Sequence, residues 1–230
     1  MNHLRIKLLG GLLAGVLTAP SMAVMTVTVN DGPGSGPGGE FKLTPSGFPF
    51  TPASLTNGGF FESFCLEKNE FVDFGGTYTA VLNTEALGGG VGGQVGFGGD
   101  PLSAETQYLY WKFINGSLSN YNYVMGAGRV ASADALQDVI WFLENEQPKN
   151  WTDGDNSLRD LFYQDALANA GTGVSSVKVL NMYDTSNGQR VGAQDMLVAV
   201  VPVPGALVLG AMGMGLVGVM RRRLGVNVNG

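Results

Sequence analysis

SADALQDVIWFLENE, residues 132–146, is the clearest structural signal in this chain. Leu136 and Ile140 stand four residues apart within an apolar pattern that is typical of one face of an α-helix. Ser132 comes directly before this pattern and is a preferred residue at a helix N-terminus. The stretch therefore predicts an amphipathic helix over Ala133–Glu146, with Ser132 as its N-cap.

Further helices are predicted on either side of this one. Leu158–Asn169 predicts a second helix, capped by Asn156 or Ser157 and ended by Gly171. Upstream, Glu105–Leu118 fits either a helix or a pair of strands, and we favour the helix. The residues expected to face inward from the second helix are Leu161, Phe162, Ala166 and Leu167.

Much of the remaining sequence has β character. Strands are predicted at Met25–Asn30, Thr77–Leu82, Val174–Tyr183 and Gln194–Val201, because these runs are rich in β-branched and apolar residues. Between the first two, Glu40–Phe74 consists of short β-prone runs broken by prolines. We therefore predict one α+β, β-rich domain with two packed helices.

Two glycine-rich stretches are predicted to be loops. Asp31–Gly39 (DGPGSGPGG) cannot hold regular structure because glycine and proline interrupt it throughout. Gly88–Gly99 contains a Gly-x-Gly-x-x-Gly match, but a dinucleotide-binding loop also needs a βαβ frame, which the sequence does not indicate. We interpret this second stretch as an exposed loop.

Residues 1–23 have the pattern of a secretory signal peptide. Arg5 and Lys7 precede the apolar run Leu8–Ala19, and Ser21-Met22-Ala23 offers small residues at the positions that a signal peptidase reads. The alternative, a buried N-terminal helix, would hold three glycines at about 1 kcal/mol each. We therefore expect export, with the mature domain at residues 24–201.

The C-terminus combines a proline motif, an apolar run and a basic cluster. Pro202 and Pro204 flank a valine, and Arg221, Arg222 and Arg223 follow the apolar run. Met196–Met220 is long enough to cross a bilayer as a helix, and the arginines predict that its C-terminal end lies in the cytoplasm.

This order over residues 202–230 resembles the PEP-CTERM sorting signal of Gram-negative bacteria that make exopolysaccharide. The tripeptide of that family is usually Pro-Glu-Pro, whereas valine lies between Pro202 and Pro204 here. The resemblance implies that a membrane exosortase cuts near this motif and that the protein is released or passed to the cell surface. A single-span anchor is the alternative, and either arrangement places the domain outside the cytoplasm.

The charge and the histidine content exclude several functions. Five of the 13 basic residues lie in the terminal segments, so residues 24–201 carry eight basic side chains against 19 acidic ones, a net charge of −11. That sign disfavours nucleic-acid binding. Because His3 is the one histidine, the mature chain would lack the imidazole of Ser-His-Asp or Cys-His catalysis and of His-ligated zinc.

One group of residues is a candidate for covalent chemistry. Cys65 is the one cysteine, so it forms no internal disulfide, and a lone thiol in an oxidising compartment is expected to be buried or used. Phe64 precedes it. On the first predicted helix, Gln137 and Trp141 lie at i and i+4 and therefore share a face.

Phe64-Cys65 and the later segment Leu136–Trp141 (LQDVIW) resemble the Cys-Gln thioester domains of bacterial surface proteins. Val139 stands where that family usually has alanine, and the family is best known from Gram-positive adhesins. The resemblance implies a thioester between Cys65 Sγ and Gln137 Cδ, with Phe64 and Trp141 as a hydrophobic wall that excludes water. The activated acyl group would attach the protein once to a partner, so no enzyme activity, cofactor or metal is expected.

The expected partners follow from these resemblances. They are an exosortase-type processing enzyme, an amine or hydroxyl on a surface protein or polysaccharide, and the membrane through the C-terminal helix before processing. No nucleic-acid partner is expected.

The main alternative is a non-reactive component of the exopolysaccharide matrix. In that case Cys65 is a small buried hydrophobe, since free cysteine is among the most buried residue types, and Gln137 lies on a helix surface. A third possibility is a secreted hydrolase that uses paired carboxylates among Glu62, Glu67 and Glu70, because glycoside hydrolysis needs no histidine.

Two further binding sites stay open from the sequence. Asp153-Gly154-Asp155-Asn156 with Asp160 offers oxygen ligands for calcium, although the spacing departs from the EF-hand pattern. Tyr121 and Tyr123 would suit stacking on sugar rings if they were exposed.

Overall fold

The structure is a computed structural model that describes residues 24–87, 99–172, 174–185 and 191–201. The predicted signal peptide, residues 88–98 of the predicted glycine-rich loop, the proline motif and the arginine cluster lie outside these residues. Across the described part of the chain, no helix has the length and apolar character that a membrane crossing needs.

The prediction of an α+β domain is confirmed. Within the described residues the chain forms nine strands, three α-helices and one short 3-10 helix, Ala170–Thr172. The helices are α1 (Ala104–Ile114), α2 (Ala127–Leu143) and α3 (Leu158–Asn169). The strands are β1 (Thr26–Asp31), β2 (Phe41–Ser46), β3 (Phe61–Ser63), β4 (Thr77–Asn83), β5 (Glu85–Ala86), β6 (Asp100–Pro101), β7 (Val177–Asp184), β8 (Val191–Gly192) and β9 (Met196–Ala199).

Seven strands form one antiparallel sheet in the order β3-β2-β1-β4-β7-β8, and β9 also pairs with β7. β5 and β6 form a separate pair. Beyond β3, Cys65 forms a β-bridge with Met196, and backbone hydrogen bonds join Leu66 N–H to Asp195 O and Leu197 N–H to Phe64 O. The sheet therefore closes on itself where the chain after β3 meets β9.

Alternation along the strands separates two apolar clusters. In β9, Met196 and Val198 join the cluster enclosed by the sheet, while Leu197 and Ala199 pack against the helices. Because successive side chains of a strand point to opposite faces, one short strand contributes to both clusters. This explains why all four residues of β9 are buried.

Three details of the sequence prediction are wrong. The domain has three helices rather than two, because the helix favoured at Glu105–Leu118 does form, as α1. α2 begins at Ala127, so Ser132 lies inside the helix and accepts a hydrogen bond from Asn122 N–H at 3.1 Å instead of capping it. In α3, Leu167 is 50% exposed although it was expected to face inward.

Two sequence expectations overlap at the start of the apolar C-terminal run, and the strand predicted at Gln194–Val201 is the one that forms. Met196–Ala199 forms the buried strand β9 rather than the beginning of a membrane helix. The β-sheet thus takes up the first residues of the predicted membrane span.

α2 begins six residues before the predicted start at Ala133, because buried ion pairs of Arg129 fix its first turn. Arg129 binds Glu40 through two hydrogen bonds, Nε to Oε1 at 2.7 Å and Nη2 to Oε2 at 2.6 Å, and Nη2 also lies 2.6 Å from Glu62 Oε1. Tyr121 donates its hydroxyl to Glu40 Oε1 at 2.6 Å. This paired charge joins α2 to the segments at the start of β2 and in β3.

We predict that Arg129→Ala lowers the free energy of unfolding by about 3–5 kcal/mol, because Glu40 would remain buried without its cation. Arg159→Ala is the matched control. Arg159 binds Asp138 at 2.5 Å, but its side chain is 38% exposed, and exposed pairs contribute only about 0–1 kcal/mol. Urea denaturation would measure both, and equal losses would contradict the assignment.

Candidate functional site

Cys65 and Gln137 lie in direct contact, although 72 residues separate them in sequence. The Cys65 thiol donates to Gln137 Oε1 at 3.3 Å, and the Cys65 backbone N–H donates to the same oxygen at 3.2 Å. Gln137 Nε2 donates back to the Cys65 carbonyl at 2.8 Å. Both residues are 1% exposed, so the contact is buried. The amide comes from α2, in which Gln137 lies.

The sheet leaves a place for this amide. β2 and β3 pair Phe41 with Ser63, and continuing that antiparallel register would put Gly39 opposite Cys65. The chain turns away instead, since Gly39 has a φ of +112°, which favours glycine. The Gln137 side chain then makes the backbone hydrogen bonds that a strand would otherwise make with Cys65.

The two predicted wall residues lie on different sides of the chain. Trp141 belongs to the same apolar cluster as Cys65, whereas Phe64 belongs to the helix-side cluster and packs edge-on against Phe113 at 5.0 Å between ring centroids. Lys68 Nζ lies over the Trp141 ring, 5.3 Å from its centre. At this distance the ammonium group makes a cation–π interaction with the face of the ring.

The environment of Cys65 favours the neutral thiol. Burial raises its pKa strongly, and repulsion from Glu146 and Glu67 raises it further. The Cys65 backbone N–H, and to a smaller extent the nearby Trp141 indole, oppose this shift and lower the pKa. The thiol is therefore not a free thiolate at neutral pH, and any reaction must proceed from S–H with a defined proton acceptor.

A pocket of about 170 Å³ includes Gln137 in its lining. One wall is the glycine-rich arm (residues 31–39), whose Ser35 donates a backbone N–H to Asp134 Oδ1 at 2.9 Å and whose Ser35 hydroxyl binds Asp134 Oδ2. The opposite wall is α2. The lining residues are Ser35, Gly36, Pro37, Gly38, Asp134, Gln137, Asp138, Trp141 and Arg159.

Other candidate residues have structural partners. Glu62 binds Arg129, whereas Glu67 is grouped with Glu70 and Asp195. Tyr121 is buried and binds Glu40, so it does not present its ring to a sugar.

Tyr123 is half-buried, and its hydroxyl oxygen accepts from Leu118 N–H at 3.1 Å. The proposed calcium turn is used by the backbone, because Asp155 accepts from Ser157 N–H at 2.7 Å and Asp160 accepts from Gly154 N–H at 3.0 Å. Asp155 and Asp160 thus organise the start of α3. The predicted sorting residues Pro202, Pro204 and Arg221–Arg223 lie outside the described residues.

No protein-family model matches this chain, and a search of curated proteins finds no match either. The interpretation of the site therefore depends on its own geometry and on the sequence motifs.

The sequence did not reveal the part played by the glycine-rich arm. Gly38 packs so closely on α2 that an added Cβ would lie 2.5 Å from Gln137 Cγ and 2.7 Å from Trp141 Cη2. The available signal was the density of glycine in residues 31–39, which indicated a loop but not its contact.

We predict that Gly38→Ala displaces the arm and lowers the free energy of unfolding by about 1–3 kcal/mol, because the new methyl group would overlap Gln137 and Trp141. Gly36→Ala is a matched control in the same arm, since its Cβ would meet nothing within 4 Å. Thermal and urea unfolding would compare them. A Gly36→Ala loss as large as that of Gly38→Ala would show that the packing is not the cause.

Proposed function

We propose that this protein is an exported surface or matrix protein whose Cys65 and Gln137 form an internal thioester for covalent attachment to a partner. The observation that supports this proposal most is the contact between the thiol and the amide. Cys65 Sγ is 3.3 Å from Gln137 Oε1, and a C=O bond is about 1.23 Å long, so Cδ lies within roughly 4.5 Å of Sγ. A short side-chain rotation would bring sulfur to attack distance.

The surroundings of the amide suit the formation of a tetrahedral intermediate. The Cys65 backbone N–H donates to Oε1, which is the oxygen that gains negative charge when sulfur adds to Cδ. Burial strengthens this hydrogen bond and excludes hydrolytic water. The donor and the nucleophile belong to the same residue, so one contact supplies both.

The reaction is balanced without an external reagent. The Cys65 Sγ–Cδ bond forms, the Cδ–Nε2 bond of Gln137 breaks, and the thiol proton leaves with the amide nitrogen as ammonia. This fits a neutral thiol, since the proton is needed by the leaving group. Nε2 is held by the Cys65 carbonyl at 2.8 Å, close to the sulfur that carries the proton.

Attachment would follow by acyl transfer. An amine or hydroxyl of a partner attacks Cδ, the Sγ–Cδ bond breaks, and the sulfur regains a proton, which leaves Gln137 joined to the partner by an amide or ester. The pocket between the glycine-rich arm and α2 gives a route to Gln137 from the surface. The event happens once for each chain and is not catalytic turnover.

A passive matrix component is the second candidate, and a specific observation favours it. The Gln137 amide makes two hydrogen bonds to the Cys65 backbone, which satisfies polar groups that would otherwise be buried without partners. In that role the unreacted glutamine anchors α2 on the sheet, and Cys65 is an inert buried thiol.

Export and sorting are supported by the sequence of the two ends. The signal-peptide pattern at residues 1–23 and the proline, apolar and arginine order at 202–230 favour a mature domain outside the cytoplasm. The exosortase partner belongs to the same proposal.

We predict that a fluorescent primary amine, added to the folded full-length protein, becomes attached at Gln137 and releases one thiol for each amine attached. Cys65→Ala and Gln137→Ala should both abolish the labelling, because each removes one side of the thioester. Gln107→Ala is the control, since this glutamine donates to the Leu102 carbonyl at the N-terminal end of α1 and should leave labelling unchanged. Peptide mapping identifies the labelled residue.

A protein that takes up no amine and shows one free thiol for each chain after unfolding would contradict the proposal and support the passive role. Labelling that survives Cys65→Ala would assign the reaction to another site.

A further inference from the structure

A second polar cluster lies at the point where the sheet closes. Glu67, Glu70 and Asp195 each offer a carboxylate oxygen, and these three oxygens lie within 4.8 Å of one another. The backbone places them together, because Leu66 N–H donates to the Asp195 carbonyl and Gln194 Nε2 binds the Glu67 carbonyl. The cluster is distinct from the predicted calcium turn at Asp153–Asp160.

One carboxylate oxygen of the cluster is buried without a hydrogen-bond donor in the part of the chain that the structure describes. Glu67 is 3% exposed, and its Oε2 atom has no hydrogen-bond partner among the described residues. A buried acceptor without a donor is costly, and native proteins rarely leave one. Beside the cluster, Asn181 donates Nδ2 to Asp195 Oδ2 at 2.8 Å, while its own Oδ1 has no hydrogen-bond partner within the described part of the chain.

Two of the three carboxylates, those of Glu67 and Asp195, have no side-chain cation as a partner in the described part of the chain. Within the described residues, none of the salt bridges formed by arginine or lysine includes Glu67 or Asp195. Lys68 follows Glu67 in sequence, but its Nζ binds Gln147 Oε1 at 2.6 Å instead.

A path from solvent reaches the cluster. Glu70 is half-buried and lines a surface pocket of about 200 Å³, together with Gln194 and the aromatic residues Phe41, Phe71 and Phe74. An ion could therefore enter past Glu70 without unfolding the sheet.

We propose that Glu67, Glu70 and Asp195 bind a divalent cation, and that Ca²⁺ is the ion that fits. Hard divalent ions take carboxylate and amide oxygens, which are the groups present here. Ca²⁺ accepts six to eight oxygen ligands at about 2.3–2.6 Å in a flexible arrangement, whereas Mg²⁺ requires about 2.0–2.1 Å and a near-regular octahedron. The ion would supply the positive charge that the orphaned Glu67 oxygen lacks, and this role does not depend on the thioester.

The test uses the full-length protein in mild detergent, stripped of metal with EDTA and then dialysed. CaCl₂ and MgCl₂ are titrated separately by calorimetry, and thermal unfolding is followed in each salt. The variant is Glu67→Gln, which keeps the side-chain size and removes one charge. The control is Asp31→Asn, which removes an exposed carboxylate at the end of β1.

We expect CaCl₂ to bind at one site per chain and to raise the Tm of the wild type and of Asp31→Asn by the same amount. Glu67→Gln should weaken Ca²⁺ binding by at least about tenfold, as expected when a ligand is lost. If Glu67→Gln does not fold, as judged by circular dichroism, Asp195→Asn replaces it.

Absence of both heat and Tm shift with CaCl₂ in the folded wild type would overturn the proposal. Unchanged affinity in a folded Glu67→Gln protein would assign the ion to another site. Equal affinity for Mg²⁺ would overturn the choice of Ca²⁺.

Discussion

The hydrogen-bonded pair between the Gln137 amide and the Cys65 backbone is the constraint on which the architecture of the site depends. Where β2 departs from β3, the sheet would leave a buried peptide group without partners, and a side chain from α2 fills that place. The glycine-rich arm makes room, because Gly38 has no side chain to meet Gln137. The position of α2, the closure of the sheet and the access to the thiol are therefore linked.

A second consequence concerns buried charge in a domain that has few charged residues. Only 14% of the chain is Asp, Glu, Lys or Arg, yet several of these side chains are buried. Arg129 pairs with Glu40, so that charge is compensated inside the protein, whereas Glu67 and Asp195 have no such cation within the described residues. Buried carboxylates either pair, bind an ion or keep a proton. The domain uses the first solution at α2, and we propose the second where the sheet closes.

The sequence predicted the fold class, α3 and most of the longer strands, because their apolar periodicity and turn residues are local signals. It did not predict the start of α2, since the partners of Arg129 come from residues 40 and 62. Pro45 was expected to break a strand, but it pairs with Val27 beyond the region where β3 covers β2. Because β3 does not pair with this part of β2, the N–H that proline lacks is not needed for a hydrogen bond between β2 and β3.

The pairing of Cys65 with Gln137 was suggested by motif alone, and its geometry could not be derived from a single sequence. The most direct test is the intact mass of the full-length protein, measured after rapid denaturation at low pH without any amine. Our account predicts a mass lower than the sequence requires by one ammonia, restored to the full value in Cys65→Ala after allowance for the substitution. The full mass in the wild type, with one titratable thiol, would contradict the thioester and leave Gln137 as a structural residue.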